Sequence, residues 1–235
     1  YENLIKNAIP YAGASLGSGE DILVILFTSG TTGYPKGAKI SHRAFIARAM
    51  YSAYEYKINK EDMFPAWAPM FHMASTDLAI GSLIIGSSVA FVDGFQPKVL
   101  KNLIQKYKLS WLVLMPGMLE GFIKFLNGKK FNIKGIKTMG AMADLIPMKQ
   151  ITEITTLLDT PYLNSFGSTE TGMPPASGGI IAKKVRNFSL SKIQSSFCEV
   201  ILVNNNKVAE LGTSGECAVR GPTLFSGYWK AESTN

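Results

Sequence analysis

The rest of the sequence is arranged around one stretch, Phe27-Thr28-Ser29-Gly30-Thr31-Thr32-Gly33-Tyr34-Pro35-Lys36-Gly37. An apolar, β-branched run over 22–26 precedes it and predicts a buried strand. Ser41 follows it as a candidate N-cap, and the spacing of apolar residues predicts a helix over 42–57. The predicted order is a strand, a loop rich in Gly, Ser and Thr, a lysine and then a helix. This order forms a binding site for phosphate, because the glycines let backbone N–H groups converge on an anion.

The side chains of this loop suit an anionic ligand such as a phosphate group. Hydroxyls add hydrogen-bond donors beside the backbone N–H groups, and a lysine adds a mobile positive charge. The candidate phosphate-binding residues are Thr28, Ser29, Gly30, Thr31, Thr32, Gly33 and Lys36. On this stretch alone, a glycine-rich linker that carries hydroxyls remains the alternative.

The loop differs from the Walker loop, G-x-x-x-x-G-K-[ST], at two positions that matter for chemistry. Pro35 stands where that loop has a glycine, which removes an N–H group and fixes φ. Gly37 stands where that loop has the Ser or Thr that binds Mg²⁺. These departures argue against a kinase-like phosphotransferase, which would transfer the γ-phosphate of ATP and release ADP.

Residues 28–37 instead match, over all ten positions, the pattern T-S-G-T-T-G-x-P-K-G. The stretch therefore resembles the signature loop of the adenylate-forming enzymes, which include acyl-CoA synthetases, luciferases and nonribosomal adenylation domains. The resemblance implies that the loop and Lys36 neutralise the triphosphate of ATP.

A second motif, Asn164-Ser165-Phe166-Gly167-Ser168-Thr169-Glu170-Thr171-Gly172, resembles the family's Y-G-x-T-E motif. The resemblance implies that Thr169 and Glu170 are catalytic residues and that Glu170 binds Mg²⁺. A single glutamate suffices because Mg²⁺ also takes phosphate oxygens and water. The nucleotide-binding residues of this motif are then Asn164, Gly167 and Phe166, whose ring would stack on the purine. Taken alone, the stretch is more typical of a Ser/Thr-rich turn before a helix.

A third stretch, Gly140-Ala141-Met142-Ala143-Asp144, directly follows a predicted strand. In the family that it resembles, the matching segment runs along the adenine and the acyl pocket, which places Gly140 and Ala141 against the nucleotide. Small residues are needed where a flat ring lies against backbone. Taken alone, the stretch is more typical of a loop between a strand and a helix.

The pair Phe71-His72 is placed by the same resemblance at the acyl pocket, beside the reacting carboxylate, so His72 is a candidate catalytic residue. A hydrogen-bonded core histidine is the alternative, whereas His42, directly after the predicted cap, is expected at the surface. The neighbouring apolar side chains are candidates for the pocket lining, with ordinary core packing as the alternative. They are Trp67, Met70 and Met73.

The rest of the chain alternates apolar strand-like runs with helical patterns. We predict helices over 76–85, 97–107, 116–126 and 146–158, and strands over 88–92, 111–115, 136–139 and 162–164, with a short strand at the start of 63–73. This alternation predicts an α/β fold with a largely parallel sheet covered by helices, whose ligands gather at the carboxyl ends of the strands. By this interpretation residues 1–197 are the α/β part of a large N-terminal adenylation domain, and residues 198–235 form a β-rich, antiparallel subdomain.

Composition excludes several classes of protein. With 46% apolar and 17% charged residues among 235, the chain is globular, and its formal charge of +7 suits an anionic ligand. Scattered lysines without a finger, RRM or basic-helix motif argue against a nucleic-acid partner. The longest apolar stretch, 78–92, is too short and interrupted to span a bilayer, which leaves peripheral membrane contact open. Cys198 and Cys217 are predicted to be buried reduced thiols, which favours the cytoplasm, as does the lack of a signal peptide.

Residues 69–73 and 140–144 are most similar to fatty acyl-CoA synthetases within this superfamily. That resemblance implies activation of a carboxylic acid, here a fatty acid, by Mg²⁺ and ATP to an acyl-adenylate and pyrophosphate. The thiol of coenzyme A then displaces AMP. The stretch 215–222, with 227–229, resembles the family's G-E-L-x-V-R-G-P…G-Y segment, and we expect it to hold the terminal strands rather than to touch substrate.

Family members extend beyond both ends of this sequence, so we interpret it as a central fragment. The aspartate that binds ribose and the small C-terminal domain with its catalytic lysine are expected downstream, and residues 183–197 match the family's glycine-rich pattern poorly. We therefore expect the isolated fragment to be inactive. A non-catalytic module that binds a nucleotide or an acyl group is the alternative to a ligase.

Overall fold

The structure is a computed structural model that describes residues 2–14, 16–28 and 34–231. Its helices are α1 Glu2–Lys6, α2 His42–Tyr56, α3 Met73–Ile85, α4 Pro97–Lys106, α5 Leu119–Leu126 and α6 Met148–Leu157, with a short 3₁₀-helix at Ala143–Leu145. Its strands are β1 Ile22–Phe27, β2 Gly37–Ser41, β3 Met63–Ala66, β4 Ser88–Phe91, β5 Leu109–Leu112, β6 Ile136–Met139, β7 Tyr162–Leu163, β8 Phe166–Ser168, β9 Gly172–Ala176, β10 Ile180–Ile181, β11 Glu199–Asn204, β12 Lys207–Val208 and β13 Glu216–Arg220.

A six-stranded sheet lies at the centre of the described part of the chain, in the order β10-β7-β6-β5-β3-β4. The pairings from β7 to β4 are parallel, and β10 is added antiparallel at one edge. Parallel neighbours need crossover connections, which α3, α4, α5 and α6 supply in turn. The predicted α/β fold with a largely parallel sheet is therefore confirmed.

The main core lies between this sheet and its helices. β5 is buried along its whole length, as a central strand covered on both faces must be. α4 contributes Leu100 and Ile104, which lie one helical turn apart and have no exposed surface. Burying each such side chain stabilises the fold by about 1.5–3 kcal/mol. This packing fixes the ends of the strands, where the candidate site lies.

α2 begins where the sequence predicts, because Ser41 caps it by accepting a hydrogen bond from the N–H of Ala44. It ends at Tyr56, followed by Lys57 in the left-handed conformation. His42, expected at the surface, is partly buried.

Two other helices begin three residues from the predicted position, and α6 begins at Met148 rather than at 146. α3 begins at Met73 because His72 caps it, with its Nδ1 accepting a 3.1 Å hydrogen bond from the N–H of Ala74. α5 begins at Leu119 rather than at 116, because Gly117 has a φ of 83°, which a right-handed helix does not contain.

The prediction of a buried strand before the glycine-rich loop is wrong. β1 is mostly exposed, lies outside the central sheet and pairs antiparallel with β2. Its buried residue, Leu26, packs in a small second cluster with Ala38 and Ile40 of β2. Lys36 is therefore followed by a strand, and α2 does not begin at the phosphate loop.

Besides the β1–β2 pair, two further antiparallel units lie outside the central sheet. β8 and β9 form a hairpin, so the turn at 169–171 is followed by a strand and not by the helix that the stretch taken alone would suggest. β12, β11 and β13 form a three-stranded sheet, which confirms the antiparallel strands expected at the C-terminal end. The division into domains at 197–198 stays a prediction.

The two cysteines differ in exposure. Cys198 is buried and free, as predicted. Cys217 is free but exposed, so the prediction of burial is wrong for it, because β13 and β11 leave most of their side chains open to solvent. Among the described residues, no helix has the length and apolar character needed to cross a bilayer.

Candidate active site

A cleft of about 480 Å³ opens at the carboxyl ends of the central strands. Residues that directly follow β5, β6 and β7 line it, namely Val113, Met115, Ala141, Met142 and Ser165. The position is the one at which parallel sheets bind ligands, and the volume is within the roughly 300–1,000 Å³ usual for small-molecule sites.

The base of the glycine-rich loop forms one wall of this cleft through Thr28 and Lys36. The N–H of Thr28 donates to the carbonyl of Lys36 at 2.9 Å, and the N–H of Lys36 donates to the hydroxyl of Thr28 at 3.2 Å. These two bonds close the loop across its ends and bring the lysine to the cleft. The other predicted phosphate-binding residues, Ser29, Gly30, Thr31, Thr32 and Gly33, lie outside the described residues.

The β8–β9 turn also borders the cleft and brings Thr169 and Glu170 to the same cleft as Lys36. Inside the turn, Ser168 and Thr171 exchange side-chain hydrogen bonds with each other's backbone N–H groups. This local bonding fixes a tight turn, and its carboxylate borders the same cleft as the ammonium of Lys36.

Gly167 and Gly140 occupy positions that need the absence of a side chain. A Cβ on Gly167 would lie 2.1 Å from the carbonyl oxygen of Gly172 in the facing strand. Gly140 has a φ of 81°, and a Cβ there would lie 2.0 Å from the ring of Tyr162. Gly167 and Ala141 border the cleft, whereas Gly140 supports it by accepting a hydrogen bond from the indole of Trp111. Their roles toward a nucleotide stay predictions.

Asn164 and Phe166 lie next to residues that line the cleft but do not line it themselves. The buried amide of Asn164 donates to the carbonyls of Leu190 and Ser191 and accepts from the ammonium of Lys192. The ring of Phe166 is half exposed, and the residues on either side of it in the sequence, Ser165 and Gly167, border the cleft. Contact of either side chain with a nucleotide stays a prediction.

His72 borders the cleft, beside an apolar wall. The wall consists of Met73, Leu78, Trp111, Val113 and Met115. Of the three predicted lining residues, Met73 is therefore present. Trp67 is instead buried and donates from its indole to the carbonyl of Val113, and Met70 is exposed.

Arg48 is a residue of the site that the motifs did not reveal. Its guanidinium, almost fully buried, donates to Asp77, to the carbonyls of Thr169 and Glu170, and to the carbonyl of Thr223. It thereby joins α2, α3, the β8–β9 turn and the C-terminal segment. An arginine within the buried stripe of α2 was a signal that could have pointed to it.

Asp77 lies on α3 between Arg48 and the cleft. Burial raises the pKa of its carboxyl group, and the charge and hydrogen bond of Arg48 oppose that shift. The sequence signal was that Asp77 is the one charged residue of α3.

The C-terminal segment also contacts residues of the site, and the expectation that it does not touch substrate stays a prediction. The hydroxyl of Tyr228 donates to Oε1 of Glu170 at 2.7 Å, and the N–H of Phe225 donates to the carbonyl of Glu170 at 2.8 Å. Burial, followed by the neighbouring carboxylate of Glu170, raises the pKa of Tyr228 to about 12. Near neutral pH this phenol is therefore a hydrogen-bond donor.

The residues present fit a magnesium ion held mainly by its substrate. The described residues contain no group of three His, Cys, Asp or Glu side chains that could enclose a metal. Two carboxylates border the cleft, Glu170 beside Thr169 and Asp77, and Asp77 is already paired with Arg48. One carboxylate near bound phosphates is the arrangement that Mg²⁺ commonly uses.

An α/β fold with a cleft at the strand ends, bordered by a lysine and by a threonine–glutamate turn, defines a nucleotide-binding type of protein. The chain belongs to the AMP-binding enzyme family, whose model matches residues 7–229.

Curated relatives of this chain are CoA ligases. A 2-succinylbenzoate–CoA ligase of Listeria innocua is 27% identical over 210 residues, covering 87% of this chain and 41% of the relative. An indoleacetate–CoA ligase of Aromatoleum aromaticum is 26% identical over 209 residues, covering 88% of this chain and 41% of the relative. The chain thus spans less than half the length of these relatives. Their names do not support the narrower resemblance to fatty acyl-CoA synthetases.

Solved structures share the fold. The O-succinylbenzoate coenzyme A synthetase of Bacillus subtilis, in complex with ATP and magnesium, has a TM-score of 0.78 at 22% identity, and the match covers 99% of this chain and 48% of that one. ATP-bound MatB of Rhodopseudomonas palustris has a TM-score of 0.73 at 21% identity, covering 93% and 43%.

Proposed function

We propose that the full-length protein is a carboxylate–CoA ligase. In the first step a carboxylate oxygen of the acid forms a bond to the α-phosphorus of ATP, and the bond from that phosphorus to pyrophosphate breaks. In the second step the sulfur of coenzyme A forms a bond to the acyl carbon. The bond from that carbon to AMP breaks, and the thiol proton is released.

The observation that carries this proposal is the position of Lys36 and Glu170 on one cleft. The two residues come from separate motifs, and nothing local in the sequence requires them to meet. A triphosphate and a carboxylate are both anions, so their approach needs positive charge and fixed positions. Lys36 and the loop that it ends supply the charge, and the turn carrying Thr169 and Glu170 lines the same cleft.

We assign the metal-binding role to Glu170, with Thr169 beside it for a phosphate oxygen. When bound there, Mg²⁺ would neutralise charge on the phosphates. Glu170 is suited to that role because two hydrogen bonds fix its position. Its carboxylate accepts one from the hydroxyl of Tyr228, and its backbone carbonyl accepts one from the N–H of Phe225. The group is therefore oriented before a ligand arrives, which reduces the reorganisation that binding requires.

For the acid we infer an aromatic carboxylic acid rather than the fatty acid that the sequence pattern favoured. The named relatives act on 2-succinylbenzoate and indoleacetate. The apolar wall offers Trp111 and Met73 to a flat, apolar acyl group, and His72 lies beside it. An aromatic ring can pack against an indole or a thioether with favourable geometry.

The test is carboxylate-dependent exchange of pyrophosphate into ATP, measured on the full-length protein with a panel of aromatic and fatty acids. We expect exchange with at least one aromatic acid. No exchange with any acid, together with tight nucleotide binding, would instead support the non-catalytic binding module. Formation of ADP would indicate a phosphotransferase.

Variants of the two charged residues make the test specific. Lys36→Ala and Glu170→Gln should each lower the exchange rate by about 10²–10³-fold, as loss of a preorganised charge at a developing transition state does. Lys60→Ala and Glu61→Gln change exposed residues of the same types and should leave the rate unchanged.

A further inference from the structure

Tyr228 lies between the two charged residues of the cleft. Its hydroxyl donates a 2.7 Å hydrogen bond to Oε1 of Glu170, and Nζ of Lys36 lies 5.1 Å from the centre of its ring. An ammonium at this distance over an aromatic face is attracted by the ring. One side chain from the C-terminal segment therefore contacts both motifs.

The backbone around Tyr228 is fixed against the strand that follows Lys36. Tyr228 forms an isolated antiparallel bridge with Ala38 in β2. On either side of it, the N–H of Trp229 donates to Gly37 at 2.7 Å and the carbonyl of Gly227 accepts from Lys39 at 3.0 Å. The ring consequently has a fixed place relative to the base of the phosphate loop.

The same segment is also bonded to the turn that carries Glu170. The N–H of Phe225 donates to the carbonyl of Glu170 at 2.8 Å, and the hydroxyl of Thr223 donates to the carbonyl of Thr171 at 3.0 Å. Tyr228 thus lies on a segment that is hydrogen-bonded both to β2, which follows Lys36, and to the turn that carries Glu170.

We propose that Tyr228 is a positioning residue that orients the carboxylate of Glu170 for a metal–nucleotide ligand and holds Lys36 beside it. This proposal rests on the nucleotide site of the proposed function. A carboxylate and an ammonium that share a cleft attract each other, and a direct ion pair would neutralise both before a ligand arrives. No ion pair joins these two described residues. Tyr228 instead gives each of them an uncharged partner.

Two substitutions separate the hydroxyl from the ring. Tyr228→Phe removes the hydrogen bond to Glu170 and keeps the aromatic face under Lys36. Tyr228→Leu removes both. Tyr54→Phe is the matched control, because Tyr54 is an exposed tyrosine with Nζ of Lys57 4.7 Å from its ring centre and does not border the cleft.

The experiment is titration calorimetry of the full-length protein with ATP, once in excess Mg²⁺ and once in EDTA. The measured quantity is the ratio of the two affinities. Tyr228→Phe should lower this ratio by about 3- to 10-fold, the value of one hydrogen bond, and leave the affinity in EDTA unchanged. Tyr228→Leu should in addition weaken binding in EDTA, because Lys36 loses its support.

Other outcomes overturn the proposal. An affinity ratio for Tyr228→Phe within twofold of the wild-type ratio would overturn it. Equal loss of ATP affinity in Mg²⁺ and in EDTA would also overturn it, because that result indicates a general structural role. A thermal melt of each variant identifies unfolded protein, and the small change in Tyr228→Phe keeps the test valid if Tyr228→Leu does not fold. Because the readout is binding, absence of pyrophosphate exchange in the wild type would refute the proposed ligase without deciding this proposal.

Discussion

Nη1 of Arg48 and Oδ2 of Asp77 lie 2.9 Å apart in an ion pair whose side chains are only 1% and 7% exposed. The remaining donors of the guanidinium bind carbonyls of Thr169, Glu170 and Thr223. Oδ1 of Asp77 is buried with no hydrogen-bond partner among the described residues. The ion pair therefore holds the turn that carries Glu170. The stability of this arrangement depends on both Arg48 and Asp77 being present.

Removing one member of this pair should be strongly destabilising. Arg48→Met leaves the buried Asp77 without a cation and should lower the free energy of unfolding by about 3–5 kcal/mol. Urea denaturation of the full-length protein measures it. Arg220→Met is the control, because Arg220 pairs with Glu199 at the surface, and it should cost about 1 kcal/mol or less. Equal costs for the two variants would contradict a structural role of the buried pair. Arg48→Met with Asp77→Leu should recover part of the loss, since no buried charge is then left alone.

Gly140 should not tolerate a methyl group. Gly140→Ala combines a left-handed φ of 81° with a Cβ placed 2.0 Å from the ring of Tyr162, and we expect a loss of roughly 1–3 kcal/mol or more. Because the hydroxyl of Tyr162 donates to the carbonyl of Ala141 in the cleft wall, ligand affinity should also fall. Gly121→Ala is the control. That glycine lies on the exposed face of α5 with open space around it, and its substitution should stabilise by about 0.5–1 kcal/mol. Similar effects of the two alanines would contradict this account.

The two cysteines should differ in reactivity toward a thiol reagent. Cys217 is exposed in β13, whereas Cys198 is buried, and burial raises the pKa of its thiol, so less thiolate is present to react. Labelling of the native protein with a disulfide reagent should lose its fast phase in Cys217→Ser and keep it in Cys198→Ala. An unchanged fast phase in Cys217→Ser would show that this thiol is not accessible.

The sequence was informative where a local pattern sets the structure. Apolar runs separated by helical stripes predicted the parallel sheet, and the two motifs placed Lys36 and Glu170 together at one cleft. The position of β1 was missed, because a short apolar run does not distinguish a central strand from one in a separate hairpin. Its partner β2 consists of small and polar residues, Gly37–Ser41, which give little strand signal.

Contacts between distant parts of the chain had no local signal. Tyr228 was assigned to a structural segment, because nothing in 227–229 indicates that its hydroxyl reaches Glu170. Arg48 could have been found, because a charged side chain within the buried stripe of a helix requires a partner. Its partner, Asp77, could then have been suspected as the acid within the apolar α3.

The contact between Lys192 and Asp144 makes stability depend on acid pH. Nζ of Lys192 lies 2.5 Å from Oδ1 of Asp144 and also contacts Oδ1 of Asn164, so it ties the loop after β6 to β7. The hydrogen bond from Lys192 lowers the pKa of the Asp144 carboxyl group. A carboxyl group whose pKa is lower in the folded state stabilises that state above its unfolded pKa of about 3.9, and this contribution is lost as the pH falls through the folded pKa.

Asp144→Asn should therefore lower the stability near neutral pH slightly and make the fall in stability below about pH 4 less steep. The effect is small because both side chains are partly solvated. Urea denaturation at a series of pH values measures it. Lys192→Met removes the same contact from the other side and should flatten the acid limb in the same way, while the double variant should add little further flattening, because the contact can be lost only once. Additive flattening in the double variant would mean that the two residues act on acid stability through different partners.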